Sequence, residues 1–375
     1  MKRASEKMQN KHDSRGPEAL NRLNELRREV LASVESSGFS EDLFEKLALK
    51  IFHFQSEFNP VYAEFIRLLG LETSQIQSLE HVPFLPVETF QNHVVSVFGD
   101  EAVDFTCFKS SGTTGSRPSI HYVDDLSWYD RVALEGFQRW RGSEESPAVI
   151  MGLLPGYLER SDSSLVHMVR EFMRAHGQDR PDDWFFLNDF EALERRLEEC
   201  VQVNSHAGKP QRICVIGVTH ALLRWAEHNQ NRQPGWLRHA TVEIIETGGM
   251  KGTGPELLRE EVHNRLAKLS TEPGIRSEYG MTEMMSQAWS RGDGLFECPP
   301  WMRIRIGSLT DPGEWMDSGR QGRIHVIDLA NIASCSFLAT GDIGRVNSGQ
   351  MFEVLGRFDH AEVRGCNLMV VGSGT

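Results

Sequence analysis

The chain has 375 residues, enough for two ordinary domains or one large enzyme unit built of subdomains, which excludes peptide hormones and bare binding motifs. A composition that is 39% hydrophobic and 25% charged describes a globular protein with a core and excludes a disordered chain. The formal net charge of −13 excludes a broad electrostatic grip on nucleic acid or an anionic membrane, so any phosphate must be held locally. Residues 1–15 are polar with no apolar signal segment, and no stretch approaches the roughly 18 apolar residues of a membrane helix, so neither export nor membrane insertion is expected. Residues 18–36 carry Leu20, Leu23, Leu26, Val30, Leu31 and Val34 on a helical period, which predicts an amphipathic helix. A second helical pattern over 43–69 is broken at Asn59-Pro60, where proline restarts a helix. Pro83 and Pro86 then force an extended run.

From about Cys107 the texture changes. The apolar runs 149–154, 213–218 and 242–245 read as buried strands, separated by helices at 164–176, 190–203, 220–228 and 255–269. That alternation predicts an α/β layer with parallel strands. After about Arg291 short strands take over at 302–306, 323–327, 351–355 and 368–371. We therefore divide the chain into a helical part (1–105), an α/β part (106–290) and a β-rich end (291–375), as subdomains of one unit.

Six cysteines without a Cys-x-x-Cys pair disfavour a disulfide framework and a structural zinc site, and fit a reducing cytoplasm. None of the 14 histidines forms a His-Glu-x-x-His or other tight ligand pair, so metalloenzyme chemistry is set aside. The loudest local signal is Phe108-Lys-Ser-Ser-Gly-Thr-Thr-Gly-Ser-Arg-Pro118, a loop dense in hydroxyls and flexible backbone that can wrap phosphate oxygens. Its spacing is neither the Gly-x-x-x-x-Gly-Lys loop of nucleotide hydrolases nor the dinucleotide fingerprint, and without company it reads equally as a solvent-exposed turn.

Three further segments follow in order: Glu246-Thr-Gly-Gly-Met-Lys-Gly252, Glu278-Tyr-Gly-Met-Thr-Glu283, and Thr340-Gly-Asp-Ile-Gly-Arg345 leading into Gly356-Arg-Phe-Asp359. The ordered set resembles the adenylate-forming superfamily of acyl-CoA synthetases, peptide-synthetase adenylation domains and luciferases. Finer features, Gly-Gly-Met-Lys-Gly, Tyr157-Leu-Glu-Arg-Ser161, Cys298-Pro-Pro-Trp-Met302 and Val363-Arg-Gly-Cys366, resemble the LuxE-type acyl-protein synthetases of bacterial bioluminescence, whose length the chain also matches.

The resemblance implies an α/β adenylate-forming fold with a β-rich C-terminal subdomain, and ATP and Mg²⁺ as cofactors. It implies activation of a carboxylic acid, a fatty acid in the LuxE type, to acyl-AMP. Ser110, Ser111, Gly112, Thr113, Thr114 and Gly115 would cradle the β and γ phosphates. Gly248 and Gly249 would lie along adenine, with Tyr279 and Gly280 also in the nucleotide site. Thr282 would contact the α-phosphate and Glu283 would hold Mg²⁺. Asp342 would accept from the ribose hydroxyls and Arg357 would assist on ribose or phosphate. Cys366 would be the acyl acceptor, handing the group to a protein partner such as a reductase or carrier. Each has a plainer reading from the residues alone: Asp342 a turn residue, Glu283 a helix-start acid, Arg357 a surface charge, Cys366 a small core residue.

The chain departs from the superfamily pattern in its lysines. There are nine (Lys2, Lys7, Lys11, Lys46, Lys50, Lys109, Lys209, Lys251 and Lys268), none closely follows the phosphate loop, where Arg117 is the nearby cation, and none lies beyond Lys268. The usual C-terminal lid domain with its catalytic lysine is therefore not expected in this chain, and charge offset falls to Mg²⁺, arginines and backbone dipoles. His121, His167 and His360 are candidate bases. The stretch from Met151 to Tyr157 followed by Ser161 to Leu165 reads as a ligand-binding strand end or a capped helix start, and Trp184, Phe185 and Phe186 as an acyl tunnel or core. Two alternatives stay open: an acyl- or aryl-CoA ligase of the phenylacetate-CoA ligase type, and a non-catalytic subunit that binds an acyl group or nucleotide.

Overall fold

A computed structural model describes residues 2–35, 39–111, 117–142, 149–154, 162–204, 211–248, 257–311, 313–347, 349 and 351–357. Helix α1 (Lys2–Glu35) buries Ala19, Leu23, Leu26 and Val30, a stripe spaced four, three and four residues apart. Leu20 falls off that stripe and is 45% exposed, against the sequence expectation. Helix α2 (Glu41–Phe58) starts at Ser40, whose hydroxyl accepts from Leu43 N, and buries six apolar positions from Phe44 to Phe54. Asn59 ends α2 and caps α3 (Pro60–Leu68), its Oδ1 accepting from Val61 N and Tyr62 N at 3.1 Å. The Asn59 amide also donates to Ser334 O, and the Gln55 amide to Asn331 O and Ile332 O, so two buried polar side chains of the helical part hold a loop of the β-rich end.

The extended run at the prolines forms the two-residue strand β1 (Leu85–Pro86), which lies parallel to β12 (Phe337–Val346). A hairpin of β2 (Thr106–Lys109) and β3 (Ile120–Val123) follows, with the hydroxyl-rich loop between its strands, and α4 (Leu126–Arg141) is capped by Asp125. Then come β4 (Val149–Leu153), α5 (Ser164–Ala175), α6 (Phe190–Asn204), β5 (Gln211–Gly217), α7 (Thr219–His228), β6 (Ala240–Glu246), α8 (Arg259–Leu266) and β7 (Arg276–Tyr279). The chain continues through β8 (Ala288–Ser290), β9 (Phe296–Glu297), β10 (Met302–Gly307), β11 (Gly322–Asp328) and β12 to β13 (Phe352–Arg357).

One large mixed sheet orders its strands β10-β11-β12-β13-β9-β8-β7-β6-β5-β4. Strands β4 to β7 are parallel, whereas every pairing from β7 through β8, β9, β13, β12 and β11 to β10 is antiparallel. Alternate residues of the parallel strands feed two cores. Ile150, Cys214, Ile216 and Ile245 face α4 and α5 in the core shared with the N-terminal helices, whereas Met151, Val215, Val242 and Ile244 face α6, α7 and α8. Both faces are therefore covered, which is why these strands read as continuous apolar runs.

The sequence pattern missed β12, the longest strand, because Thr-Gly-Asp-Ile-Gly-Arg looks like turn chemistry. Gly344 is there for close approach: a Cβ would lie 2.3 Å from Glu353 O and 2.7 Å from an Ile324 methyl. The segment at 368–371 lies outside the described residues. No helix among the described residues is long and apolar enough to cross a membrane.

Candidate active site

Described residues of three motif segments, Glu246, Glu278 with Tyr279, and Asp342 with Arg357, meet where β6 and β7 end, the edge at which open α/β sheets bind ligands. Asp342 sits in β12 opposite Arg357 in β13. Its Oδ1 accepts from Arg357 Nε at 3.1 Å and its Oδ2 from the Tyr279 hydroxyl at 2.9 Å. The Thr340 hydroxyl accepts from Asp342 N at 3.0 Å and donates to Ile324 O, which fixes the strand at this point. Burial, followed by the nearby Asp342 charge, pushes the Tyr279 phenol well above its ordinary range, so it remains a donor. Asp342 is 6% exposed and so is no turn residue, and a carboxylate with two donors placed has acceptor positions left for two more. Thus Tyr279, Asp342 and Arg357 come together from three strands.

Thr282 and Glu283 follow β7 in a segment whose backbone is pinned by side chains from far along the chain, of which sequence reasoning named only His121, and that as a base. His121 Nδ1 donates to Thr282 O at 2.8 Å, and Asn331 Nδ2 donates to Glu283 O at 2.8 Å. Asp328, fully buried, accepts from Met285 N, Ser286 N, the Ser286 hydroxyl and Ala330 N. These contacts span 42 or more positions of sequence in every case but Ala330, which is why no local pattern announces them. Burial pushes the His121 imidazole down to about 4, and its enclosed ring is committed to the Thr282 carbonyl. His121 is therefore a positioning residue rather than the base considered from sequence.

Two glutamates stand at adjoining strand ends. Glu246, ending β6, turns to the face of α7 and α8: its Oε2 accepts from the Thr219 hydroxyl at 2.7 Å and Gly248 N at 3.0 Å, and His263 Nε2 lies 3.8 Å from Oε1. Burial acts to raise this carboxyl, but donors on His263, Thr219 and Ser277 outweigh it and hold it at about 2. Gly248 has φ +62, so the turn after β6 favours glycine there for its backbone. Glu278, in β7, faces the other way, across from Trp289 and toward Tyr129 of α4. It accepts no hydrogen bond from any described residue, and burial, then the Glu246 charge, push its carboxyl up to about 8. Gly280 makes room for it, since a Cβ there would lie 2.3 Å from Glu278 Oε1.

At the hydroxyl-rich loop, Ser110 Oγ accepts from Ser119 N at 2.9 Å while Ser110 N donates to Ser119 O at 3.0 Å, so this serine closes the neck of the loop. Ser111 and Arg117 are exposed. Lys109 donates from its backbone to Asp162 O and pairs through Nζ with the Asp162 carboxylate at 3.2 Å, joining the loop's base to the start of the α5 region. Gly112, Thr113, Thr114, Gly115, Gly249, His360 and Cys366, with residues 155–161, lie outside the described residues.

His167 Nε2 bonds Asp130 Oδ1 at 2.6 Å, and with Glu171 these groups bring ligand atoms within 4.8 Å of one another. The sequence reading set metal chemistry aside because no histidine forms a tight ligand pair along the chain, whereas this cluster assembles only when Asp130 of α4 meets His167 and Glu171 of α5. Glu171 is also paired with Arg174. Phe186 belongs to the core, its N–H donating to Gly152 O, and the Phe185 ring fills the space a Gly152 side chain would need. A cleft of about 830 Å³ between α2 and the β10 region, lined by Glu41, Glu45, Arg303, Arg305 and Met351, shares none of its residues with the Asp342 cluster.

No protein-family model matches the sequence, and no curated protein matches it. Solved structures do match in fold. A 2-hydroxyisobutyryl-CoA ligase in complex with 2-HIB-AMP and CoA in the thioesterification state superposes with TM-score 0.60 at 14% identity, covering 88% of this chain and 71% of that one. The same ligase in the postadenylation state with R3-HIB-AMP gives 0.59 at 13% identity over 88% and 70%. Its open conformation with 2-HIB-AMP and CoA gives 0.59 at 14% identity over 84% and 70%. The chain thus has the α/β fold of an adenylate-forming ligase.

Proposed function

We propose that the protein activates a carboxylic acid with ATP, releasing pyrophosphate and forming acyl-AMP, and then passes the acyl group to a thiol. The observation that carries this reading is the Tyr279–Asp342–Arg357 cluster at the carboxyl edge of an adenylate-forming fold. Asp342 keeps acceptor capacity for a ribose while Tyr279 and Arg357 hold its carboxylate in place. Thr282, on a backbone fixed by His121 and Asn331, meets the α-phosphate. Ser110, Ser111 and the loop that follows take the outer phosphates.

Glu283, whose buried carboxylate offers hard oxygen ligands, would hold Mg²⁺; the fit rests on that donor chemistry, and the ion would neutralise charge on the departing pyrophosphate. The acyl group, a fatty acyl chain in this reading, passes to Cys366 as a thioester and then to a protein partner. In a second reading, favoured by the coenzyme A complexes of the similar ligase, coenzyme A is the acceptor.

The test is intact mass after incubation with Mg²⁺, ATP and a graded set of fatty and aromatic acids, with Cys366→Ser and Asp342→Ala beside the wild type. An acid-dependent, hydroxylamine-labile gain lost in Cys366→Ser is expected. Asp342→Ala should lower acid-dependent ATP–pyrophosphate exchange by about 100-fold or more. Unchanged exchange sinks the site assignment, acyl-CoA release that survives Cys366→Ser favours the second reading, and no AMP with any acid favours a binding subunit.

A further inference from the structure

Glu278 is a carboxyl group at the ligand-binding edge of the sheet to which none of the described residues donates a hydrogen bond. It is the last residue but one of β7, two positions before Gly280 and four before Thr282, and it retains partial contact with solvent. Its side chain lies over Gly280, in the space that a Cβ would occupy. The charged and titratable groups that bear on it among the described residues come from two elements. They are Tyr129 of α4, itself beside Asp130, and Glu246 at the end of β6, which is backed by His263 and Arg259 of α8. Its chain neighbour Tyr279 turns away to Asp342.

A cation-holding role calls for a stable negative charge, and the neighbouring Glu246 shows how this protein makes one, with three side-chain donors. Glu278 has the opposite surroundings: desolvation by burial, a like charge nearby and no donor among the described residues. Such a site disfavours the resting anion and suits a group that takes up a proton during turnover.

Resting on the function proposed above, we infer that Glu278 is the general base of the second half-reaction, accepting the proton of the thiol that attacks the acyl-adenylate. The S–H proton passes to a Glu278 carboxylate oxygen as sulfur bonds to the carbonyl carbon. The bond from that carbon to the AMP oxygen then breaks, and AMP leaves as its phosphate anion. A carboxyl raised to about 8 is matched to a thiol, whose ordinary value is about 8.5. Transfer by this route therefore rises as pH climbs toward 8, because only the ionised Glu278 can accept.

The experiment separates the two half-reactions. Synthetic dodecanoyl-adenylate is supplied to wild type, Glu278→Gln and Glu278→Asp, with the chain's own thiol or added coenzyme A as acceptor, and ATP–pyrophosphate exchange is measured in parallel. Glu278→Gln is expected to slow thioester formation near neutral pH by about 100-fold, far more than it slows exchange, with Glu278→Asp recovering part of the loss. The gap between Gln variant and wild type should close toward pH of about 10, where thiols ionise without help. Wild-type transfer rates in Glu278→Gln would overturn the proposal, as would equal losses of exchange and transfer in both variants. If the wild type shows no exchange with any acid, yet transfer from the synthetic adenylate depends on Glu278, the activation reading fails and the base assignment stands.

Discussion

Glu246 and Glu278 are the same residue type at the ends of adjacent parallel strands, and the fold drives their proton affinities apart, one down to about 2 and the other up to about 8. The difference lies in which face each side chain enters. On the α7 and α8 side, Thr219, Gly248 N and His263 surround the Glu246 carboxylate with donors. On the α4 side, Glu278 meets Tyr129, no hydrogen-bond donor among the described residues, and the field of Glu246 itself. Burial opposes ionisation at both sites, and the donors around Glu246 outweigh it whereas at Glu278 the Glu246 charge adds to it. One strand end is thereby a fixed structural anion that shapes the Gly248 turn, and the other is a reactive proton acceptor facing the ligand edge.

The largest effect should come from removing the anion. Glu246→Ala strands the Thr219, Gly248 and His263 donors, and a carboxyl held at about 2 against an ordinary 4.5 stabilises the fold by on the order of 3 kcal/mol at neutral pH. Because the folded value is depressed, that stability is fully present above about pH 4.5 and is lost as pH falls toward 2; urea midpoints at several pH values should follow this slope in the wild type and not in the variant.

Glu278 carries the opposite sign. Its folded value is raised, so its contribution is present below about pH 4.5 and lost as pH rises through 8, and Glu278→Gln should be more stable than wild type at pH near 9 by about 2 kcal/mol, a figure reduced for the solvent contact the side chain retains. Equal stability there would mean that the Glu278 charge is relieved by groups not accounted for. The smallest change, Thr219→Val, removes one of the Glu246 donors and should lower stability by about 1 kcal/mol while moving the acid limb of the pH curve toward higher pH.

Much of the scaffold was legible because its signals are local. The parallel strands β4, β5 and β6 announced themselves as apolar runs, and α5, α6 and α7 as periodic segments bounded close to where they occur. Helix α4 and the β2–β3 hairpin were not singled out, and β12 was hidden by glycines whose reason, close approach to Glu353 and Ile324, exists only once the strands pair. Within the candidate site, Tyr279, Asp342 and Arg357 were named from sequence. Asn331 and Asp328, which hold the Thr282 segment, were not, and His121 was named as a base rather than as a support, because each acts on backbone far away in the chain. Glu278 was read only as the first letter of a motif.

The sequence by itself determined the alternation of buried strands with helices and the acidic balance that restricts phosphate binding to local loops. Those are consequences of periodicity, composition and residue chemistry, all of which are properties of neighbours along the chain. Only the tertiary structure decided which of two neighbouring glutamates stays ionised, because protonation answers to donors and charges within a few ångströms, and these arrive from α4, α7 and α8 only after the sheet has folded.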